Sequence, residues 1–318
     1  MKNIYSNIFS YNKKSLHKTI VNLKKGNIIG LPTETVYGLG GNAYLKESIK
    51  KIYKLKKRPK INPLIVHYFD YKNAEDDVIL NDNFFKLYKK FCPGPITFIL
   101  KKKNKSKINS MVSANLNTIA IRFPSHRVVR SILKSIDFPL AMPSANISSS
   151  ISPVNAEDVA EEFKKNIKFI LDGGKSKIGI ESTVIDLTGK PAILRPGIIS
   201  SKIINKILKI KINIKKKNFI ISSPGMLKKH YSPGIPLLLN QKISKGTNAF
   251  ITIGKQHKDK KNYFNLSKKS DLNEAASKLY ITLRKIKKLK FKKIYVVKIP
   301  NIGPGIAIND RLKRAAVK

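Results

Sequence analysis

Apolar residues in the first part of this chain recur either at helical spacing or in short continuous runs, with glycine, proline and hydroxyl residues between them. Leu16, Ile20 and Leu23 share one helical face, and Gly26 closes that helix. The run at 27–31 predicts a buried strand, and a glycine- and hydroxyl-rich turn follows at 32–41. Leu45, Ile49, Ile52 and Tyr53 make the next helical stripe, with Lys56 at the end of the same face. Further strands are predicted at 64–68, 96–101, 118–123, 168–171, 182–187 and 192–194. Helices are predicted over 84–91, 127–136 and 156–164, the last with Asn155 and Asp158 placed to cap it. This alternation describes an α/β layer structure.

From about Ile199 the texture changes. A Lys/Ile/Asn stretch to Lys217, then Ser222-Ser223-Pro224-Gly225 and Ser232-Pro233-Gly234, break regular structure. A smaller α/β unit follows, with strands at 236–239, 249–253 and 293–299 and helices at 272–288 and 306–316. The expected organisation is therefore a first domain over 1–199, a linker over 200–235 and a small domain over 236–318.

Composition narrows the choices. No apolar run approaches the roughly 18 residues that a membrane span needs. The first ten residues mix Lys, Asn and Ser with single apolar positions, unlike a signal-peptide core. One cysteine, Cys92, excludes an internal disulfide framework and fits a reducing cytosol. Without Cys-x-x-Cys or His-x-x-x-His spacing, a protein-built zinc site is not expected. The net charge of +45 over 318 residues invites a nucleic-acid partner. Only eight of the 64 basic residues are Arg, however, and Lys is spread evenly with Ile and Asn. Compositional drift toward A/T-rich codons gives the same balance, and weak tRNA binding fits either cause.

The candidate chemistry lies at predicted strand ends. Thr33 and Thr35 follow the strand at 27–31, and Lys56 and Arg58 follow the next helix. Arg122 and Arg195 end two other strands, and Pro143-Ser144-Ala145-Asn146 follows the apolar stretch 138–142. Cationic forks suit carboxylate and phosphate, and hydroxyl and amide groups add neutral hydrogen bonds. Polar groups at strand ends of an α/β sheet converge on one crevice. Gly38-x-Gly40-x-x-Ala43 formally fits a dinucleotide fingerprint, but no acid for a ribose follows until Asp70.

Read in order, PTETVYGLG (32–40), KKRPKINPL (56–64), PGPIT (93–97), AIRFP (120–124), PSAN (143–146), ESTVID (181–186), LRPG (194–197), SPGMLKKHYSP (223–233) and GPGIAINDRLKRAA (303–316) span nearly the whole chain. The chain closely resembles the YrdC-like family of threonylcarbamoyl-AMP synthases, in its longer form. The resemblance implies a twisted open mixed sheet flanked by helices, plus a smaller Rossmann-like carboxyl-terminal domain. It also implies synthesis of threonylcarbamoyl-AMP from L-threonine, bicarbonate and ATP, in the cytoplasm. The product would pass to a separate threonylcarbamoyl transferase complex that modifies adenosine 37 of tRNA. By resemblance, Thr35, His67, Arg122, Ser144 and Ser182 line the threonine pocket. Arg58, Asn62, Thr118, Met142, Ser152, Arg195 and Tyr231 contact ATP, and Lys56 and Asn146 complete the signature around the reacting groups. Mg2+ would bind mainly through the ATP phosphates. An RNA-binding maturation factor and a nicotinamide oxidoreductase are the rival readings. Cys92, Ser149 and Leu227-Lys228-Lys229 depart from the family's usual residues.

Overall fold

The computed structural model describes residues 5–212, 230–257 and 260–317. Strand β1 (Ile8–Ser10) leads into helix α1 (Lys13–Lys24) through a reciprocal cap: Asn12 Oδ1 accepts from the Ser15 N–H, and Ser15 Oγ accepts from the Asn12 N–H. β2 (Ile29–Leu31) and β3 (Gly38–Asn42) pair antiparallel, and α2 (Lys46–Lys56) ends on Lys57 in the left-handed region. β4 (Ile65–His67), α3 (Asp82–Phe91), β5 (Ile96–Lys101) and β6 (Thr118–Arg122) follow. Next come α4 (Arg127–Lys134), β7 (Leu140–Ala141), α5 (Ala156–Phe163) and β8 (Ile170–Asp172). β9 (Thr183–Asp186) and β10 (Ala192–Arg195) form an antiparallel pair, and α6 (Ser201–Leu208) ends this part.

These ten strands make one mixed sheet in the order β1-β8-β2-β3-β7-β4-β6-β5-β9-β10. The smaller part contains β11 (Leu237–Leu238), β12 (Ala249–Thr252), β13 (Tyr263–Asn265), α7 (Leu272–Lys288), β14 (Ile294–Val296) and α8 (Pro304–Ala315). Its four strands are parallel, in the order β11-β14-β12-β13. The large core joins Leu39, Ile49, Ile52, Phe84, Phe98 and Ile121. A second core crosses between the two parts: Val36, Ile151, Val154 and Ile180 pack with Tyr231, Leu279, Tyr280 and Leu312.

Four elements differ from the pattern reading. The expected turn at 32–41 gives way to a strand from Gly38 onward, buried throughout. Glycine serves close packing there: a Cβ on Gly38 would lie 2.3 Å from Met142 Cγ, and one on Gly40 would lie 2.7 Å from Leu31 Cδ1. Gly38 and Gly40 are therefore strand residues, and no dinucleotide turn exists at that place. The Lys/Ile/Asn stretch begins with a helix, α6, because Ile204 and Leu208 share a face and pack into the large core with Ile212. β1 and β13 form from short segments without clear alternation. Residues 213–229 of the segment read as linker, including Ser222–Gly225 and Leu227-Lys228-Lys229, lie outside the described residues.

Gly197 fixes how β10 leaves the sheet beside β9. A Cβ there would lie 2.3 Å from the Thr183 backbone nitrogen and 2.7 Å from the Ser182 carbonyl carbon, where no flexible side chain can yield. Gly197→Ala is expected to destabilise the chain by about 1–3 kcal/mol. A urea unfolding midpoint equal to that of the parent would contradict this.

Candidate active site

One cleft opens where several strands of the large sheet end. Thr33, Thr35 and Val36 come from the β2–β3 connection, and Arg58 from the loop after α2. His67 ends β4, Arg122 ends β6, and Met142, Pro143 and Ser144 follow β7. Arg195 ends β10, Glu181 precedes β9, and His230 and Tyr231 close the side nearest the smaller part. The space they enclose is about 540 Å3, counting its open mouth.

The arginines are held by main-chain and amide oxygens. Arg58 Nε donates to the Asn62 carbonyl at 2.9 Å, while Nη2 donates to Asn62 Oδ1 at 2.6 Å and to the Pro63 carbonyl at 2.7 Å. Burial pushes the Arg58 guanidinium down to about 10, which still leaves it charged at neutral pH. Arg195 donates from Nε and Nη2 to the Ser182 carbonyl at 3.2 and 3.0 Å, and from Nη2 to Ser182 Oγ at 3.1 Å. Ser182 Oγ also lies 2.7 Å from Thr97 Oγ1, so its hydroxyl braces Arg195 from beneath the lining. Arg122 Nη2 pairs with Glu34 Oε1 at 2.7 Å.

Lys56 takes a different position from the arginines. Its side chain is 1 % exposed, and Nζ donates to the carbonyls of Ser144 and Asn146, the latter at 2.5 Å. Burial, reinforced by the Arg58 charge, holds its amine well below the usual lysine range. Lys56 therefore shapes the Ser144–Asn146 loop from below and does not line the cleft. Asn146 works with it: Oδ1 accepts from Ser144 Oγ at 2.6 Å, and Nδ2 donates to the Ile147 and Ser150 carbonyls at 2.7 and 2.9 Å.

Of the other residues singled out in sequence, Thr35, His67, Met142, Ser144 and Tyr231 line the cleft beside the three arginines. Asn62 and Ser182 stand behind Arg58 and Arg195. Ser152 donates to Glu181 Oε1 at 2.6 Å. Thr118 begins β6 opposite Lys101, at the other end of that strand from Arg122. The sequence reading passed over Glu34, Glu181 and His230. A signal existed for the two acids: each sits inside a hydroxyl-rich motif of a chain that has only 19 acidic residues.

Buried polar atoms without partners collect around this cleft. They include Glu34 Oε2, Asn62 Nδ2, His67 Nδ1, Arg122 Nε, His230 Nδ1 and Tyr231 Oη. Native chains leave few such atoms, and a cluster of them marks where a ligand supplies the missing bonds. Burial would raise the Glu181 carboxyl, but Arg311 and Arg195 outweigh it and hold it at about 2. Burial and the neighbouring Arg122 charge push His67 well below its usual range, so it enters the cleft neutral. Among the described residues, no three His, Cys, Asp or Glu side chains gather as a metal site, and no helix is long and apolar enough to cross a membrane.

Comparison with known proteins extends the picture. Residues 21–197 match the family of Sua5, YciO and YrdC proteins described as telomere recombination, and residues 199–317 match the threonylcarbamoyl-AMP synthase C-terminal domain. The threonylcarbamoyl-AMP synthase of Pyrococcus abyssi is 33% identical over 317 residues, covering 92% of this chain and 92% of that one. That of Bacillus subtilis is 34% identical over 327 residues, covering 96% and 94%. The crystal structure of P. abyssi Sua5 complexed with L-threonine matches with a TM-score of 0.88 at 30% identity, over 97% of this chain and 96% of that one.

His230 gives the cleft a pH dependence. Burial lowers its imidazole from an ordinary value near 6.5 to about 3. The unfolded chain thus takes up this proton first, and the stability gained from neutral His230 is lost as pH falls from about 6.5 toward 3. Between pH 7 and pH 5 the urea midpoint should fall less in His230→Asn than in the parent. Equal falls would contradict the assignment.

Proposed function

This chain belongs to the Sua5/YrdC family of threonylcarbamoyl-AMP synthases, and on that premise we propose that it makes L-threonylcarbamoyl adenylate from L-threonine, bicarbonate or CO2, and ATP, releasing pyrophosphate. One observation carries the reading. Three buried arginines, Arg58, Arg122 and Arg195, converge with unpartnered polar atoms in one cleft. They do so on a fold matched over 97% of the chain by a relative crystallised with L-threonine.

The chemistry asks mainly for charge control. The threonine amine becomes a carbamate by adding CO2 and losing protons. A carbamate oxygen then attacks the α-phosphorus of ATP, and the bond to the β,γ-pyrophosphate breaks. That makes the enzyme a nucleotidyltransferase. Several anions meet in one crevice, so positioning and electrostatic stabilisation supply the acceleration. A cation about 4 Å from a phosphate oxygen gains roughly 4 kcal/mol at an effective dielectric near 20. Arg58 and Arg195 fill that role, and Arg122 offers its planar fork to the threonine carboxylate once Glu34 yields. Thr35 and Ser144 supply hydroxyls, and neutral His67 acts as a hydrogen-bond partner. Lys56 contributes by fixing the Ser144–Asn146 loop.

Mg2+ belongs to the proposal as an ion carried on the ATP phosphates. Glu34 and Glu181, carboxylates at the cleft, are each engaged by an arginine, so among the described residues no ready carboxylate cage stands there. The same reading places the enzyme in the cytosol, upstream of a transferase complex acting on adenosine 37 of tRNA.

The direct test is pyrophosphate release from ATP that requires both L-threonine and bicarbonate. Release without either requirement, or none at all, would overturn the proposal. Selectivity follows from the same pocket. Valine lacks the hydroxyl and leaves buried polar atoms unpaired, so its kcat/KM should fall by a factor on the order of 10⁴. Serine lacks only a methyl and should lose about 1–3 kcal/mol, or roughly 10–200-fold. Comparable turnover of valine and threonine would contradict this account of the pocket.

A further inference from the structure

Glu181 lines the cleft, yet its carboxylate is held from the smaller part of the molecule. Arg311 of α8 donates from Nε to Glu181 Oε2 at 2.8 Å, and Tyr280 Oη of α7 donates to the same oxygen at 2.9 Å. Ser152 Oγ completes the set at Oε1, 2.6 Å away. The Arg311 side chain is fully buried, at 0% exposure. Its Nη1 pairs with Asp310 at 2.7 Å, its guanidinium lies 5.1 Å from the centre of the Tyr231 ring, and Tyr231 in turn stacks on Tyr280 at 5.8 Å.

A second contact braces the same place through the backbone. Gly179, with φ +76°, lets α7 approach so closely that a Cβ would lie 2.6 Å from Ser277 Cα and 2.7 Å from its carbonyl oxygen. The loop that delivers Glu181 to the cleft is thus pressed against α7 two residues earlier. A buried ion pair is a weak source of stability compared with apolar packing of the same volume. Holding the two parts together does not by itself call for an arginine here.

Electrostatics does call for one. Glu181 stands beside Arg195 at the edge of a cleft that must accept a triphosphate. An unneutralised carboxylate there would repel the phosphates and draw Arg195 away from them. We infer that Arg311 is a positioning residue for ATP: it neutralises Glu181 from behind, keeps Arg195 available to phosphate, and so lets the smaller domain complete the nucleotide half of the site. This rests on the reading that the cleft takes ATP, and goes beyond it by assigning the smaller domain a part in binding. Arg311 does not line the cleft and acts through Glu181 and Tyr231.

The test measures MgATP and L-threonine affinities by titration calorimetry on the full chain, a readout separate from pyrophosphate release. Arg311→Leu should weaken MgATP at least tenfold and change L-threonine less than twofold. Adding Glu181→Gln to it should return MgATP affinity to within threefold of the parent, because the exposed negative charge is gone. Arg311→Lys should stay within threefold. Where leucine prevents folding, Arg311→Gln replaces it, with the same expected loss and rescue. Equal loss of both ligands, no loss of either, or a double variant no better than the single one would overturn the inference. So would a parent chain that does not bind MgATP. A parent that binds MgATP but releases no pyrophosphate would count against the proposed reaction alone.

Discussion

The constraint on which this structure turns is the burial of like charges. Arg58, Arg122 and Arg195 are each at least nine-tenths buried and face one cleft. Desolvating a single guanidinium is costly, and placing three together adds mutual repulsion. The fold answers with oxygen atoms at fixed places. Arg58 draws on Asn62 and Pro63, Arg195 on Ser182, and Arg122 on Glu34. Each oxygen comes from a loop at a strand end, which gives the ten-strand sheet and its glycine-built centre a purpose. They set those loops at the spacing the cations need. The compensation is incomplete, and unpartnered atoms remain beside the cations. The proposed anionic substrates would supply what the protein withholds.

The same logic explains the smaller part of the molecule. The cleft wall formed by Glu181, His230 and Tyr231 is shaped by α7 and α8. Tyr231 sits with φ +63° between the Tyr280 ring and the Arg311 guanidinium. The Ser232 N–H donates to the Ser149 carbonyl at 2.8 Å and the His230 N–H to the Arg314 carbonyl at 3.3 Å, so residues 230–232 are tied to both parts of the molecule.

Much of this was legible in the sequence, and the failures have physical causes. Helical stripes such as Ile49, Ile52 and Tyr53 declared α2, and the cationic and hydroxyl residues at strand ends declared the cleft. The spacing that placed Lys56 on that stripe also implied its burial. Its charge suggested a phosphate ligand, but helix geometry directs it beneath the Ser144–Asn146 loop. β3 escaped because a strand made largely of glycine carries no apolar alternation. α6 escaped because its isoleucines lie among lysines and asparagines that read as irregular. The Glu181–Arg311 pair links residues 130 positions apart, and no local pattern announces such a partner. The family resemblance marked the motif around each residue without indicating that the two meet.

The central claim is that the three arginines share one ligand-bearing crevice, with phosphate on two and an amino-acid carboxylate on the third. A crystal structure of the chain with L-threonine and a non-hydrolysable ATP analogue tests this most directly. The account predicts phosphate oxygens within hydrogen-bond reach of Arg58 and Arg195, and the threonine carboxylate on Arg122 in place of Glu34. Ligands bound elsewhere, with the Arg122–Glu34 pair intact and no phosphate near Arg58 or Arg195, would contradict it.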